Sequence, residues 1–255
     1  MNLFQYVGRL IINFTRQTGS VLLLLLETLR HMITPPYEVR HIMMQIYEVG
    51  VKSVPVVLIT GVFTGMVLAL QSYTGFKRFG AESLVGSVVA LSMTREMGPV
   101  LTGLIVTGRA GAAMAAELGT MRVTEQIDAL ETLATNPVRY LIVPRFIAGV
   151  LMLPALSVFA DIIGILGGYA ITVGLFHSSP AQYWKRTWDI LKMEDIYNGL
   201  LKAAFFGAAL AIICCYKGFY SEGGAEGVGK ATTGAVVISF MTILISDYFL
   251  SAWLF

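Results

Sequence analysis

Five long apolar segments, separated by short polar stretches, dominate the chain. The first contains 24 consecutive uncharged residues, between Lys52 and Lys77, and about 20 apolar residues are enough for a helix to cross a bilayer. The segments are too long and too evenly apolar to be the alternating strands of a membrane β-barrel. The pattern therefore predicts five membrane-spanning helices, over residues 51–73, 83–107, 146–176, 196–216 and 231–254.

The first fifty residues follow a different pattern. In residues 1–34, arginines flank the short apolar run 21–26. A signal peptide is the alternative, but no small-x-small cleavage site follows, so we predict a helix that lies in the membrane interface. After Pro35 and Pro36, apolar and polar positions fall on opposite sides of a helix, which predicts a second in-plane helix, an elbow before the first span. The two sides are Val39, Ile42, Met43, Ile46 and Val49, and Glu38, His41, Gln45 and Glu48.

Composition supports a single membrane domain. Of 255 residues, 56% are hydrophobic and 13% are charged, and the mean hydropathy is +0.71. An average soluble domain has about twice that charged fraction, so an ordinary soluble enzyme, a disordered chain and a coiled coil are excluded. The net charge of +2 gives no basic footprint for nucleic acid. The adjacent Cys214 and Cys215 cannot form a disulfide framework.

The distribution of lysine and arginine predicts the orientation. If the N-terminus is cytoplasmic, eleven of these residues fall on the cytoplasmic side and five on the opposite side, as the positive-inside rule requires. Because the number of spans is odd, the C-terminus then lies on the outer side. We divide the chain into an interfacial amphipathic region, 1–50, and a five-span domain, 51–255.

The loop between spans two and three predicts a short helix over residues 118–134. An apolar stripe runs along it, and Asn136-Pro137 ends it, because the residue before proline avoids the helical region. One interpretation is a connector on the membrane surface, and the other is a docking helix for a partner protein. The stripe consists of Val123, Ile127, Leu130 and Ala134.

Ionisable residues inside the predicted spans are the main candidates for function, because such groups are costly in a bilayer. Arg95 and Glu96 lie near mid-depth of span two, and Pro99 removes the N–H that would otherwise bond the carbonyl of Arg95 and favours a kink. The pair either faces a cavity or the bundle interior, or forms a structural ion pair between helices. Lys202 and Asp247 lie closer to the outer ends of their spans, where they could reach the headgroups or water.

Small residues predict close helix crossings. Asp161 lies near the middle of span three beside Gly164, Gly167 and Gly168, so we expect it to bond to a neighbouring helix rather than to a substrate. Gly61 and Gly65 predict another close crossing in span one, with a second protomer as one candidate partner.

Motifs of soluble enzymes give no support for catalysis. HExxH, GxSxG and CxxC are absent from the sequence, so a metal site or a Ser-His nucleophile is poorly supported. The string GAEGVGKA, residues 224–231, nearly matches a phosphate-binding loop, but no strand precedes it and a membrane span follows. We interpret its glycines as a flexible turn between spans four and five.

Several strings resemble the MlaE family, the permeases of Mla-type and Mce-associated ABC transporters. The resemblance covers about residues 37–255 and is most specific in span two and the loop after it. The strings are ITGVFTGMVLALQSY (59–73), VVALSMTREMGPVLTGLIVTGRAGAAMAAELGTMRVTEQIDALE (88–131), NPVRYLIVPRFIAG (136–149), DIIGILGGY (161–169) and EGVGKATTGAVVIS (226–239).

The resemblance implies a function and an assembly. Family members are five-span homodimers in the bacterial inner membrane that move phospholipid or a similar lipid between the inner and outer membranes. A cytoplasmic ABC ATPase binds ATP and Mg on each protomer, so this chain itself would carry no cofactor. A periplasmic MCE-domain protein caps the complex, and in many systems a small STAS-domain protein binds the ATPase.

The resemblance also implies residue roles. The loop helix 118–134 corresponds to the coupling helix that engages the ATPase, with Met121, Arg122, Glu125, Gln126, Asp128 and Ala129. The lipid pocket or gate corresponds to Arg95, Glu96, Gln71, Phe79, Lys202 and Asp247, whereas Asp161 is a structural polar group. Met44 departs from the pattern, because some members carry a basic residue there.

Two other functions remain open from the sequence. One is a membrane enzyme that acts on lipids, with Glu96 or Asp161 as the base. The other is a channel or a structural subunit without transport activity, which would need no ATPase.

Overall fold

Helices form nearly all of the described chain, in a computed structural model that describes residues 3–35 and 38–255. The predicted break at Pro36 lies outside these residues. Five continuous helical stretches are long and apolar enough to cross a membrane, which confirms the all-α architecture with five spans. The five stretches are Val39–Lys77, Glu82–Val123, Val138–Leu175, Met193–Phe219 and Gly224–Leu254.

Most spans consist of α-helix joined to shorter irregular helical segments. In chain order the α-helices are α1 (Leu3–Ile33), α2 (Val39–Val49), α3 (Val54–Lys77), α4 (Val85–Ser92), α5 (Gly98–Val106), α6 (Ala112–Val123), α7 (Gln126–Thr132), α8 (Val143–Tyr169), α9 (Pro180–Ile190), α10 (Met193–Phe219) and α11 (Gly224–Leu254). Turns of 3₁₀-helix occur at Val51–Ser53 and Glu82–Leu84, and π-helical segments occur at Met93–Met97, Thr107–Gly111, Val138–Ile142 and Ala170–Leu175.

The second span is much longer than the sequence predicts. It runs without a break from Glu82 to Val123, 42 residues, and therefore extends well past the predicted end near residue 107. The pattern failed here because Arg109 and Glu117 end the uncharged run, whereas the helix continues through both. At about 1.5 Å per residue the stretch is longer than a bilayer core is thick, so its α6 end projects toward the loop.

Helices α3 and α8 cross very closely through small residues. Gly65 lies directly against the backbone of Gly164, and Gly167 lies against the carbonyl of Val62. A Cβ atom at any of these glycines would overlap neighbouring atoms, so only glycine allows the two backbones to approach this far. The predicted crossing at Gly61 and Gly65 is thus made within this chain.

The glycine-rich string after span four is helical and does not form the predicted flexible turn. Helix α11 begins at Gly224, and the turn lies just before it, where Gly223 has φ 89°. Glu226 and Lys230 form an exposed i,i+4 ion pair, with Nζ and Oε1 2.6 Å apart. The prediction was wrong because α11 extends toward its N-terminus through these residues, although glycine has a low helix propensity.

Helix α11 is the least enclosed of the spanning helices. Its buried side chains are Ala235, Ser239 and Ile243. Its other faces expose large apolar side chains over their whole length, which lipid or a second protein must cover. These side chains are Val237, Ile238, Met241, Leu244, Ile245, Tyr248, Phe249 and Trp253.

The N-terminal helix α1 is amphipathic and packs on the bundle along one side. Leu24 and Thr28 are buried, and Leu23 and Leu26 are exposed on the other side. Asn136, in the loop after α7, bonds to Glu27 at 3.4 Å and contacts the His31 ring nitrogen at 3.2 Å. The interfacial position of α1 in a membrane stays a prediction.

Candidate functional site

A proline in span two exposes a backbone oxygen to a buried lysine. Pro99 has no N–H, so the carbonyl of Arg95, four residues earlier, lacks its usual α-helical partner. Nζ of Lys202, on α10, donates to that carbonyl at 3.0 Å. The sequence prediction that Pro99 frees the Arg95 carbonyl is confirmed, and the residues around it form the π-helical segment Met93–Met97.

The same ammonium pairs with two carboxylates from different helices. Nζ of Lys202 lies 2.7 Å from Glu96 and 2.6 Å from Asp247, and it is 0% exposed. It also lies 2.8 Å from the hydroxyl of Ser251, which in turn donates to Glu96 at 2.9 Å. Lys202 therefore does not extend toward the headgroups, as the sequence allowed, because its ion partners lie inside the bundle.

Arg95 forms a second pair that joins the first. Its Nη2 atom lies 2.7 Å from Oδ1 of Asp195, whose other oxygen accepts from the backbone N–H of Lys192 at the start of α10. The guanidinium carbon lies 4.6 Å from the centre of the Phe255 ring, within the range of a cation–π contact. Asp195 is buried, whereas the Arg95 side chain is 37% exposed.

These residues form one ion cluster, which connects the second, fourth and fifth spans. Arg95 and Glu96 are adjacent in span two, and their partners lie on α10 and α11. The cluster contains three carboxylates and two cations. Each cation is paired, and the formal net charge of the cluster is negative. The pairs join different helices, and the partly exposed side chain of Arg95 is also accessible from outside the bundle. The cluster consists of Arg95, Glu96, Asp195, Lys202, Asp247 and Ser251.

Two residues assigned to the pocket by resemblance lie outside the ion cluster, and their pocket role stays a prediction. Gln71, on α3, and Phe79, in the turn after it, are both exposed, and the bonds of the ion cluster involve neither of them. The sequence also missed Asp195 and Ser251. Asp195 lies just before the predicted fourth span, where an acidic residue is expected as a helix cap. Serines are common in membrane helices. The sequence therefore gave no reason to single out either residue.

Asp161 packs against span two. A Cβ atom at Gly98 would overlap Oδ1 of Asp161, so this glycine makes room for the carboxyl group. Oδ1 has no hydrogen-bond partner among the described residues. The sequence predicts that Asp161 bonds to a neighbouring helix. That helix is α5, and the contact at Oδ1 is van der Waals packing.

Comparison with known proteins gives the family. The family described as "Permease MlaE" matches residues 42–253, which include the ion cluster and nearly all of the five spans. The chain belongs to the MlaE permease family. This confirms the resemblance read from the sequence, and the chain is a multi-pass membrane permease.

Individual relatives agree with this assignment. A probable ABC transporter permease protein of Rickettsia typhi is 47% identical over 255 residues, covering 100% of this chain and 98% of that protein. The intermembrane phospholipid transport system permease protein MlaE of Haemophilus influenzae is 38% identical over 259 residues, with the same coverage. The chloroplastic protein TRIGALACTOSYLDIACYLGLYCEROL 1 of Arabidopsis thaliana is 39% identical over 216 residues, covering 85% of this chain and 62% of that protein.

In this permease the predicted loop helix 118–134 is divided into two parts. Residues 118–123 belong to the end of α6, and only Gln126–Thr132 form the separate helix α7. The division falls at Glu125, which adopts the left-handed conformation with φ 60°. Hydrophobic spacing could not predict this, because a non-glycine residue seldom adopts a left-handed conformation.

Helix α7 is held at its buried side and exposed on the other. Ile127 is 0% exposed, and Arg122 forms an ion pair with Asp128 across the break, with Nη1 and Oδ1 2.5 Å apart. Met121, Arg122 and Asp128 are half-buried, so not all residues assigned to ATPase contact are fully accessible. The exposed residues of this segment are Glu125, Gln126, Ala129, Glu131, Thr132 and Leu133.

The end of α7 lies before the predicted stop. Ala134 has φ 55°, and the N–H groups of Ala134 and Thr135 bond back to the carbonyls of Glu131 and Leu130, each at 3.0 Å. This is the Schellman arrangement, with alanine in the position that usually holds glycine. The Asn136-Pro137 pair instead begins the next span, since the Asn136 side chain accepts from the N–H of Arg139.

Arg109 fixes the elbow of the permease. Its guanidinium donates to the carbonyl of Glu48 and, at 2.9 Å, to the hydroxyl of Ser53. The carbonyls at the end of α2 have no partner within that helix, so an arginine from span two satisfies them. The positive-inside count treated Arg109 as a loop residue and gave no sign of this role.

A cleft of about 330 Å³ lies between the elbow and span two. Met44 and Gln45 line it from α2, and Met114 and Glu117 line it from α6. Met44 is the position at which the resemblance implies a basic residue in some family members. The elbow thus turns part of its polar side, including the buried Gln45, toward the bundle.

Proposed function

We propose that this chain is the permease subunit of an ABC transporter that moves phospholipid or a related lipid between the inner and outer membranes of a bacterium. The observation that carries the proposal is the family match over residues 42–253, which contains the membrane bundle of this chain. The name of the Haemophilus relative assigns intermembrane phospholipid transport to a protein that matches this chain over its full length. In this assembly the chain itself breaks no covalent bond.

The proposed complex contains two copies of the permease. Each copy binds a cytoplasmic ABC ATPase, which holds ATP and Mg, and a periplasmic MCE-domain protein covers the outer end. As in many systems of the family, a small STAS-domain protein binds the ATPase. The exposed apolar faces of α11 support a second copy, because a pair of such faces encloses an apolar space suited to acyl chains. The N-terminus is placed in the cytoplasm and the C-terminus in the periplasm.

Helix α7 is the proposed contact with the ATPase. Its buried Ile127 and the ion pair between Arg122 and Asp128 hold it against the end of α6. Leu133, which is 74% exposed at its end, and the exposed Ala129 provide an apolar contact surface. A displacement of α7 is transmitted along α6 because the second span is helical without a break to Glu82.

The ion cluster is the proposed gate. Arg95 and Glu96 belong to span two, so movement of that span relative to α10 and α11 must separate or re-form the pairs with Asp195 and Lys202. Removal of the partner of a buried charge is costly, so separation of these pairs imposes an energy barrier on the movement. The exposed part of Arg95 is the group that an anionic headgroup can reach without breaking the cluster.

A variant on the exposed face of α7 tests the coupling role. We expect Ala129→Arg in the full complex to reduce both ATPase copurification and lipid transfer between vesicles, because a large charged side chain replaces a methyl group at the contact. Ala181→Arg, at a position that is also exposed but lies on α9 at the opposite end of the bundle, is the matched control for ATPase copurification. Transfer and copurification that are equal in the two variants contradict a docking role for α7.

The same preparation separates the alternatives. A channel or structural subunit copurifies without an ATPase and shows no ATP-dependent transfer. A lipid-modifying enzyme converts lipid when the permease chain is incubated alone. Transfer that requires ATP, a partner ATPase and an intact permease supports the proposal against both.

A further inference from the structure

Helix α9, which connects spans three and four, is held to the bundle by one face. The hydroxyl of Tyr183 donates to the carbonyl of Ile165 at 3.0 Å, and the hydroxyl of Ser87 donates to the carbonyl of Arg186 at 3.0 Å. Burial raises the pKa of Tyr183 well above its ordinary value, so this donor keeps its proton. Thr187, one helical turn later, is also buried against Gly86. These contacts fix which side of α9 faces outward.

The outward side carries stacked aromatic rings and a lysine. The rings of Trp184 and Trp188 are nearly parallel, with centres 6.4 Å apart, and Trp188 is 67% exposed. Lys185 lies between them in sequence and is also exposed. At i,i+3 and i,i+4 spacing these side chains are neighbours on the helix surface.

The aromatic row begins on a membrane-spanning helix. The ring centre of Tyr169, at the end of α8, lies 5.5 Å from that of Trp184. At the same end of the bundle, the rings of Tyr73 and Phe176 stack with centres 3.8 Å apart. Tyr169 belongs to the third candidate span, close to the end of that span at Leu175. The row therefore starts on a spanning helix and continues along α9, near the level at which that span should leave the bilayer.

We propose that α9 is a membrane-surface anchor, which inserts Trp184 and Trp188 among the lipid headgroups while Lys185 bonds to lipid phosphates. Tryptophan combines a large apolar ring with one N–H donor, and it prefers this boundary over both water and hydrocarbon. The lysine stem lies along apolar groups while its ammonium reaches outward to the phosphates. The partner that fits is the bilayer leaflet at the end of the bundle opposite α7, with a preference for anionic lipid.

Fluorescence quenching in vesicles tests the insertion. The full-length chain contains three tryptophans, so the W184F/W253F variant leaves Trp188 alone. The matched control carries Q182W in a background where Trp184, Trp188 and Trp253 are all phenylalanine, because Gln182 lies on α9 but lines the polar cleft beside Ser179 and Glu82. The vesicles contain phosphatidylcholine and phosphatidylglycerol with bromine on the upper acyl carbons.

The expected result is quenching of Trp188 by the brominated lipid that exceeds that of the Q182W control by about twofold or more, as an interfacial ring requires. Iodide in the water phase should show the reverse order. Equal quenching of the two by lipid, or iodide quenching of Trp188 equal to that of free tryptophan, overturns the proposal. Protection of Trp188 from both quenchers in the assembled complex also overturns it, because a protein then covers this face.

The lysine contact has its own control. K185E should reduce the lipid quenching of Trp188 in vesicles rich in phosphatidylglycerol, and K185R should retain it, because only the first change repels the phosphates. Identical quenching in both variants excludes Lys185 from the headgroup contact. Far-ultraviolet circular dichroism of both variants shows that the helices are retained.

Discussion

The ammonium of Lys202 donates a hydrogen bond to the backbone carbonyl of Arg95, with Nζ 3.0 Å from the oxygen. This carbonyl is available because Pro99, one turn later, has no N–H. The same ammonium pairs with Glu96, the residue after Arg95. A backbone feature of one span is thus coupled to the charge of another, and the stability of the bundle depends on both.

Removal of the lysine charge should destabilise the permease strongly. Lys202→Met leaves Glu96 and Asp247 without a cation. Such a loss costs about 3–5 kcal/mol in a fully buried pair, and the cost here should lie below that range because the two carboxylates are 34% and 21% exposed. The loss is measured as a lower midpoint of thermal unfolding for the full-length protein in detergent. Lys230→Met, at an exposed ion pair of α11, should leave the midpoint unchanged.

A charge-free cluster provides the second arm of that test. The triple variant Lys202→Met, Glu96→Gln and Asp247→Asn should recover much of the stability, because no buried charge is then left without a partner. We expect it to remain inactive in lipid transfer. A single Lys202→Met variant that is as stable as the unchanged protein would show that the cluster does not hold the helices together.

Loss of Arg109 should loosen the elbow. Arg109→Gln removes the charged donor to the end of α2, and hydrogen bonds that involve a charged group contribute about 1.5–3 kcal/mol each. Hydrogen exchange should therefore accelerate at the amides of residues 45–53. Arg40→Gln, at an exposed position of α2, is the control and should leave the exchange rates unchanged.

Two glycines of α3 should respond in opposite ways to alanine. Gly65→Ala places a methyl group against the backbone of Gly164, so the helices must separate, and cavities or strain of this size cost about 1–3 kcal/mol. Gly75→Ala meets no atom within 4 Å and should stabilise the helix by about 0.5–1 kcal/mol. Thermal unfolding of the two variants, compared directly, checks the sign of each change.

Replacement of two alanines by glycine, one in α7 and one just after it, should change the stability in opposite directions. A left-handed alanine costs about 1–2 kcal/mol relative to glycine, and Ala134→Gly removes this strain. Glycine, however, loses more conformational freedom than alanine on folding. The net expectation is a gain of about 0.5 kcal/mol. Ala129→Gly, in the helical part of α7, should instead cost about 1 kcal/mol. Two losses in the unfolding assay would mean that Ala134 is not left-handed in the folded permease.

The sequence predicted parts of the ion cluster to different extents. Pro99 and the freed carbonyl of Arg95 are local features of one segment, and both are found as predicted. The partner of Arg95 was out of reach, because Asp195 is 100 residues away and nothing in its neighbourhood distinguishes it from an ordinary capping residue. The sequence left open that Lys202 reaches the headgroups, because depth counted along its own helix alone does not reveal its partners.

The sequence by itself determined the five spans, because an uncharged run long enough to cross the bilayer is a property of the segment and needs no neighbour. It also determined the family, through strings that lie within single segments. Only the tertiary structure decided which charges meet, where the loop helix is divided, and that Arg109 holds the elbow. These features depend on the register and rotation of packed helices, which are set by contacts such as that of Gly65 with Gly164 between residues far apart in the chain.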